Sequence, residues 1–140
     1  MQVTENDVFK ANALRVLTKI IDEQYVQNIE KFLRQALIDK SNHVISTAVV
    51  AHMDLHSKKG HSAEVAKKSV NELQDKLFNS NDGFIQYQAL LILFEMKKKD
   101  NMASLKLLFQ LTQKNLHSAI VKCQLIRLIK KSLFENTAID

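Results

Sequence analysis

Four segments of the chain repeat one apolar pattern at nearly constant spacing. They read "FKANALRVLTKI" from Phe9, "VISTAVVAHMDL" from Val44, "IQYQALLILFEM" from Ile85 and "IVKCQLIRLIKK" from Ile120. Aligning the equivalent residues Leu14, Val49, Leu90 and Leu125 gives separations of 35, 41 and 35 residues. Spacings of this size are typical of stacked helical hairpins, in which each unit buries the apolar face of the next.

Three further segments with helical periodicity lie between these four. Their apolar stripes are Tyr25, Val26, Ile29, Phe32, Leu33, Ala36 and Leu37, then Ala66, Val70, Leu73 and Leu77, then Met102, Leu105, Leu108 and Phe109. The chain contains no proline and only two glycines, so residues that break helices are nearly absent.

The sequence therefore predicts an all-α fold, an α-solenoid of antiparallel hairpins of the HEAT/armadillo type. We predict about seven helices, alternating as A and B members of hairpins, at roughly 7–22, 25–40, 43–58, 62–79, 83–98, 101–114 and 118–134. The third A helix is apolar on nearly every side, which indicates an inner helix. The predicted N-caps, whose short side chains can accept from a free backbone amide, are Asn6/Asp7, Ser41/Asn42, Ser62, Asn81/Asp82, Asp100/Asn101 and Ser118.

Composition limits the function classes. The formal net charge is +5, but no basic stripe is interleaved with stacking aromatic rings, so we expect no nucleic-acid partner. The longest apolar run, Ala89–Phe94, is too short to span a membrane. The single cysteine, Cys123, indicates a reducing compartment, and we predict that it is a buried structural thiol. We expect a cytosolic, soluble chain.

Lysines crowd the predicted ends of the A helices. They are Lys19, Lys58, Lys59, Lys97, Lys98, Lys99, Lys130 and Lys131. If the A helices run parallel, these lysines lie along one edge of the stack. Cations are favoured at helix C-termini because they offset the helix dipole, and this is the common cause of such a pattern. The alternative is a basic edge that faces the phosphate groups of an anionic membrane.

The stretch "HMDLHSKKGH" places His52, His56 and His61 within ten residues. In the repeat register His52 aligns with Leu17 and Leu93, so the spacing of four residues between His52 and His56 follows the packing stripe. The segment also lacks the glutamate of the HExxH zinc-protease pattern. We therefore interpret these histidines as packing residues and predict no metal, cofactor or catalytic residue. A zinc enzyme built on the three histidines is the remote alternative.

The segment Ile29–Lys40, "IEKFLRQALIDK", closely resembles a segment in the trunk of coatomer gamma subunits. The segments "FKANALRVLTKI", "VNELQDKL", "IQYQALLILFEMKKKDNMASLKLL" and "CQLIRL" resemble other parts of that trunk and keep its order. Ser69 is a departure, because the family often has tryptophan there. The resemblance implies that residues 1–140 form a single internal slice of an adaptin-like N-terminal α-solenoid trunk.

This resemblance implies an adaptor of the coatomer vesicle coat that has no enzymatic activity. Such a subunit acts in protein transport between the Golgi and the endoplasmic reticulum, in the cytoplasm and peripherally on Golgi membranes and coated vesicles. Its implied partners are other coatomer subunits, zeta in particular, and a GTP-loaded Arf-family GTPase, with no small-molecule substrate. Lys10, Asn12 and Arg15 are predicted to border the GTPase surface. Another HEAT-type scaffold, such as a clathrin adaptor large chain or a transport or phosphatase scaffold, is the alternative.

Overall fold

A computed structural model describes residues 3–137, with their side chains as far as Glu135. The α-helices are α1 (Glu5–Ile20), α2 (Glu30–Leu37), α3 (Asn42–Ser57), α4 (His61–Lys67), α5 (Val70–Asn79), α6 (Gly83–Lys97), α7 (Asn101–Thr112) and α8 (Ala119–Thr137), and a 3-10 segment covers Glu23–Ile29. No strand occurs in the described range. The predicted all-α fold is confirmed.

The helices form two layers. We call α1, α3, α6 and α8, which pack side by side in that order, the A layer. The 3-10 segment with α2, then α4 with α5, and finally α7 form the B layer, which packs on the A layer. The two layers are the alternating A and B members of the predicted hairpins.

The A helices run parallel, so their C-terminal ends meet at one edge. The Lys58 ammonium, just beyond the end of α3, donates to the Thr18 carbonyl near the end of α1 at 2.6 Å. At the end of α6, a hydrogen bond to Glu95 and, to a lesser degree, the nearby charge of Glu135 on α8 raise the pKa of Lys98. These contacts join the end of α1 to that of α3 and the end of α6 to that of α8. Side chains from the ends of α3 and α6 line one common groove, so all four ends meet at the predicted edge.

Helix α6 is the centre of the core. Its buried side chains lie on most sides of the helix and include Ile85, Ala89, Leu90, Ile92, Leu93 and Phe94. They contact α3 and α8 on two sides and α5 in the B layer. Full burial of each large apolar side chain contributes about 1.5–3 kcal/mol, so this helix supplies a large share of the apolar stabilisation.

Aspartates fix the starts of α6 and α7 as predicted. One Asp82 oxygen accepts from the backbone amides of Phe84 and Ile85, at 2.9 and 3.1 Å. Asp100 accepts in the same way from the second and third residues of α7. Each carboxylate satisfies backbone donors that have no partner within the helix and also lies at the positive end of the helix dipole.

The predicted caps of two earlier helices, one in each layer, were wrong. Helix α1 is capped by Thr4, and α4 follows Gly60. Ser41 lies at the start of α3 as predicted, but it makes no side-chain cap hydrogen bond.

Two of the predicted helices are not continuous, and here the sequence prediction was wrong. The predicted helix at 25–40 begins as the 3-10 segment and becomes α-helical only at Glu30. The predicted helix at 62–79 is interrupted between α4 and α5. The interruption contains Ser69, whose ψ of 12° is not helical and whose side chain is buried.

The break at Ser69 is coupled to His52 in the middle of α3. The Ser69 hydroxyl lies 2.9 Å from Nε2 of His52, and Nδ1 of His52 lies 2.7 Å from the Ala48 carbonyl. A carbonyl can only accept, so Nδ1 carries the proton and Nε2 accepts from the Ser69 hydroxyl. His52 has no solvent exposure, and this burial lowers its pKa. The imidazole is therefore a neutral link between the two layers.

We predict that stability falls on acidification partly because of His52. Burial lowers the pKa of the folded state below the reference of 6.5, so the unfolded chain binds the proton first as pH falls below that value. The free energy of unfolding should therefore decrease between about pH 7 and pH 5. His52→Leu should reduce this pH dependence, and should cost about 1–3 kcal/mol at pH 7 by leaving the Ser69 hydroxyl unpaired.

Urea unfolding at a series of pH values measures both effects. His117→Leu is the matched control for the loss of a histidine, because His117 is exposed. Identical pH profiles for the wild type and His52→Leu would contradict the buried neutral imidazole. Burial also lowers the pKa of His56, so part of the acid sensitivity should persist in the His52 variant.

We also predict that Gly60 is required at the start of α4. Its φ of +76° lies in a region that residues with a Cβ rarely adopt, and an added Cβ would lie 1.7 Å from a Glu23 carboxylate oxygen. That carboxylate accepts from the His61 backbone amide at 2.7 Å. Gly60→Ala should lower the free energy of unfolding by about 1–3 kcal/mol, as measured by thermal or urea unfolding.

The double variant Gly60→Ala with Glu23→Ala separates the two causes. It removes the clash and retains the unfavourable φ, so it should remain less stable than Glu23→Ala alone. Equal stability of these two variants would show that the backbone conformation at Gly60 carries no cost.

Candidate functional surfaces

The three histidines of "HMDLHSKKGH" lie in separate environments. His52 is buried with both ring nitrogens hydrogen-bonded, as described above. His61 is exposed on α4, and its Nδ1 lies 3.3 Å from a carboxylate oxygen of Glu64, a partner that the sequence did not predict. Among the described residues, no three His, Cys, Asp or Glu side chains are grouped as metal ligands. The predicted packing role is confirmed for His52.

The prediction that Cys123 is buried was wrong. The inward face of α8 carries Val121, Leu125, Leu128 and Ser132, all of which are buried. Cys123 lies outside that arc and is exposed. The segment around it is mostly apolar, but its direct neighbours, Lys122 and Gln124, are polar, and the apolar Ile126 is also exposed. The thiol is therefore a surface group.

The central lysines of the predicted basic edge form one groove. It has a volume of about 770 Å³ and lies between the C-terminal ends of α3 and α6 and the helix α4. Its basic lining residues are Lys58, Lys59, Lys67, Lys98 and Lys99, and we call it the edge groove. Lys67 was missed by the sequence analysis because it lies on α4, a B-layer helix, and does not follow the end of an A helix in the sequence. The fold brings it to the ends of α3 and α6.

The lysines of the edge groove differ in how they are used. Lys58 caps the end of α1, and Lys98 pairs with Glu95 at 2.6 Å. Lys59, Lys67 and Lys99 have no ion pair or hydrogen bond within the described part of the chain. They are the cations that remain available to an anion.

The wall of the edge groove carries further groups. Met53, Ile92 and Met96 supply an apolar lining. His56 also lines the groove, and its Nδ1 is buried without a hydrogen-bond partner among the described residues. Burial first, and then the charge of Lys67, lowers the pKa of His56, so its neutral form is favoured.

The remaining lysines of the predicted edge lie apart from this groove. Lys19 pairs with Asp54 at 2.9 Å. Lys130 lies 5.7 Å from the centroid of the Phe134 ring, and Lys131 approaches Glu135 at 3.9 Å. Lys97 lines a different groove, between α5 and α7. The predicted row of eight lysines is thus one cluster of four flanked by single cations.

The three residues predicted to border a GTPase surface do not share one face of α1. Asn12 and Arg15 are exposed and joined, with the guanidinium donating to the Asn12 side-chain oxygen at 2.9 Å. The same guanidinium reaches the Thr47 hydroxyl on α3 at 3.4 Å. Lys10 is half-buried and pairs with Asp39 at 3.0 Å, on the side of the B layer. Only Asn12 and Arg15 form a common exposed patch.

None of the helices between residues 3 and 137 combines the length and the hydropathy needed to cross a membrane.

Comparisons with known proteins show which family the chain resembles in sequence. The adaptin N-terminal region family matches residues 3–138. The chain is 38% identical to coatomer subunit gamma-2 of Bos taurus over 132 residues, which are 94% of this chain and 15% of the bovine protein. It is 32% identical over 134 residues to probable coatomer subunit gamma of Caenorhabditis elegans, covering 96% of this chain and 15% of the nematode protein.

Human coatomer subunit gamma-2 is 36% identical over 131 residues, again 94% of this chain and 15% of the relative. The chain thus spans about 15% of the length of the curated relatives that it matches. The family match includes every helix described above, from α1 to α8. The chain belongs to the adaptin N-terminal region family.

Proposed function

We propose that the chain works as a trunk segment of a vesicle coat subunit of the coatomer gamma type. The observation that supports this best is its 32–38% identity to coatomer gamma subunits of cattle, nematode and human, spread over 94–96% of the chain. The matched range extends through both layers of the fold. We infer transport between the Golgi and the endoplasmic reticulum as the process.

The proposed mechanism is that of a scaffold without catalysis. A solenoid offers each repeat as additional binding surface, and its stacked hairpins keep distant surfaces at fixed positions. The proposed partners are other coatomer subunits, zeta in particular, and a GTP-loaded Arf-family GTPase. The proposed place of action is the cytoplasmic surface of Golgi membranes and coated vesicles.

We propose that the GTPase contacts the patch formed by Asn12 and Arg15, while Lys10 supports α1 from another side. The Arg15 guanidinium is held by Asn12 and Thr47, so little side-chain freedom would be lost when it binds a carboxylate. Lys10 is already paired with Asp39, so its contribution would be to hold α1 against the end of α2.

A chimera tests the coat function. We expect bovine coatomer subunit gamma-2 with its 132 matching residues replaced by this chain to assemble with the other coatomer subunits and to bind the GTP-loaded GTPase. Arg15→Glu in the chimera should weaken GTPase binding about tenfold or more, while subunit assembly persists. Co-purification and pull-down with GTP-loaded and GDP-loaded GTPase measure both steps.

The control chimera carries the corresponding segment of a clathrin adaptor large chain and should fail to assemble. A folded chimera with this chain that also fails to assemble would contradict the coat proposal and favour another HEAT-type scaffold. Lys31→Glu is the charge-matched control for Arg15→Glu, because Lys31 is exposed on α2.

We further propose that the edge groove, with the flanking lysines Lys19, Lys130 and Lys131, faces an anionic membrane. Lys97 is left out of this surface because it lines the groove between α5 and α7. Lys59, Lys67 and Lys99 support this proposal because they form no ion pair or hydrogen bond with the described part of the chain. Lys58 and Lys98 differ, because each already bonds a group of the protein. Each lysine near an anionic surface contributes about 1 kcal/mol, so a small cluster gives weak binding that depends on the ionic strength.

Vesicle sedimentation tests the membrane proposal. Lys59→Glu with Lys99→Glu should weaken binding of the full chain to phosphatidylcholine–phosphatidylserine vesicles by about tenfold or more. Lys31→Glu with Lys40→Glu is the control, because both lysines are exposed in or near α2 and the net charge changes equally. Equal losses in the two variants would show that the edge lysines only complement the ends of their helices.

A further inference from the structure

The B layer is open between α5 and α7. These two helices make few contacts with one another, although each packs on α6. The gap between them is a groove of about 780 Å³, which we call the α5–α7 groove. Its walls carry Phe78 from α5 and Phe109 from α7, with Lys97, Lys106, Gln110 and Lys114 around them.

Two phenyl rings give the groove an apolar character. Phe78 is half-buried, and Lys114 lies 5.6 Å from its ring centroid and donates to its backbone carbonyl at 3.0 Å. Phe109 lies in the last turn of α7 and is 63% exposed. Leu107 and Ala103 complete the apolar lining. An apolar side chain that entered the groove would remove both rings from water.

The α7 wall of the groove belongs to a segment of the chain that has no acidic residue. Between Asn101 and Phe134 there are six Lys or Arg residues and no Asp or Glu, so the formal net charge of +5 arises entirely in this segment. No carboxylate lines the groove. Lys97 and Lys106 have no ion pair among the described residues, and the nearby Asp75 on α5 is turned toward Asn79.

The polar lining can recognise a peptide backbone. Gln74, Gln110 and Gln113 line the groove, and none of their side chains has a hydrogen-bond partner in the described part of the chain. A carboxamide offers donors and an acceptor together, which suits a peptide group better than a phosphate group, because phosphate oxygens only accept hydrogen bonds.

We infer that the α5–α7 groove binds an acidic segment of a partner protein. An apolar side chain of that segment packs between Phe78 and Phe109, and its carboxylates face Lys97, Lys106 and Lys114. The glutamines bond its backbone. This surface belongs to the B layer, away from the edge groove, and the inference does not depend on the coat function.

Selection from a phage-displayed library of random peptides, about a dozen residues long, against the full chain tests this inference. The enriched peptides should be acidic and carry at least one large apolar residue. Synthetic copies should bind about tenfold or more weakly to Phe109→Ser and to Lys97→Glu with Lys106→Glu, as measured by fluorescence polarisation. Raising the salt concentration should weaken binding to the wild type.

Two matched variants control for general effects on surface apolarity and charge. Ile126→Ser removes an apolar side chain of similar exposure, 66%, from α8, and Lys59→Glu with Lys99→Glu changes the edge groove by the same charge. Both should bind the selected peptides as the wild type does. Circular dichroism checks that every variant is folded, which we expect because all of the substituted side chains are exposed or half-buried.

Three results would overturn the inference. The first is a selection without acidic peptides, and the second is an equal loss of peptide binding in the control variants. The third is binding to phosphatidylserine vesicles that depends on Phe109, Lys97 and Lys106 in the absence of any peptide that binds, which would assign the groove to a membrane. The chimera described above reports on the coat function separately, so failure of one proposal is distinguishable from failure of the other.

Discussion

The contact between α3 and α6 is the interaction on which the rest of the structure depends. These neighbouring inner helices of the A layer carry the largest sets of buried side chains, and α1 and α8 pack on their outer sides. Their parallel orientation brings both C-termini to one edge, and so creates the edge groove. The His52 link to Ser69 starts on α3 and ties this helix to the break between α4 and α5.

The two layers differ in continuity, and this difference separates the proposed surfaces. The A layer is unbroken from α1 to α8, so its edge carries a cluster of cations held at fixed positions. The B layer is joined at its start by ion pairs from α2, Arg34 to Glu72 and Glu30 to Lys68. No such pair joins α5 to α7 among the described residues. The layer opens there, in the segment of the chain that has the most one-sided charge.

Sequence periodicity predicted the A layer well, because apolar residues that pack on two neighbours must recur at helical spacing. It predicted less where a polar residue occupies an inward position. Ser69 is buried at the break between α4 and α5 because His52 binds its hydroxyl, a pairing across 17 residues that no local pattern shows. Ser132 is an inward residue of α8, and the apolar Ile126 is an outward one. The exposure of Cys123 therefore could not be read from the apolar residues of the segment around it.

The candidate surfaces were predictable only in part. The lysines at the helix ends are visible in the sequence, but the groove that each one lines is not. Adjacent residues on a helix differ in direction by about 100°. Lys97 therefore lines the α5–α7 groove, whereas Lys98 and Lys99 line the edge groove. Lys67 joins the edge groove only through the packing of α4. The acid-free run from Asn101 to Phe134 is readable in the sequence. The groove that it lines is not, because it depends on the separation of α5 from α7.

Native-state hydrogen exchange tests the central position of the α3–α6 contact most directly. If that contact supports the remaining structure, the buried amides of α3 and α6 should exchange only through global unfolding, and those of the 3-10 segment and α7 should exchange through smaller openings. Exchange of α3 or α6 amides with lower free energies of opening than those of α7 would contradict this account.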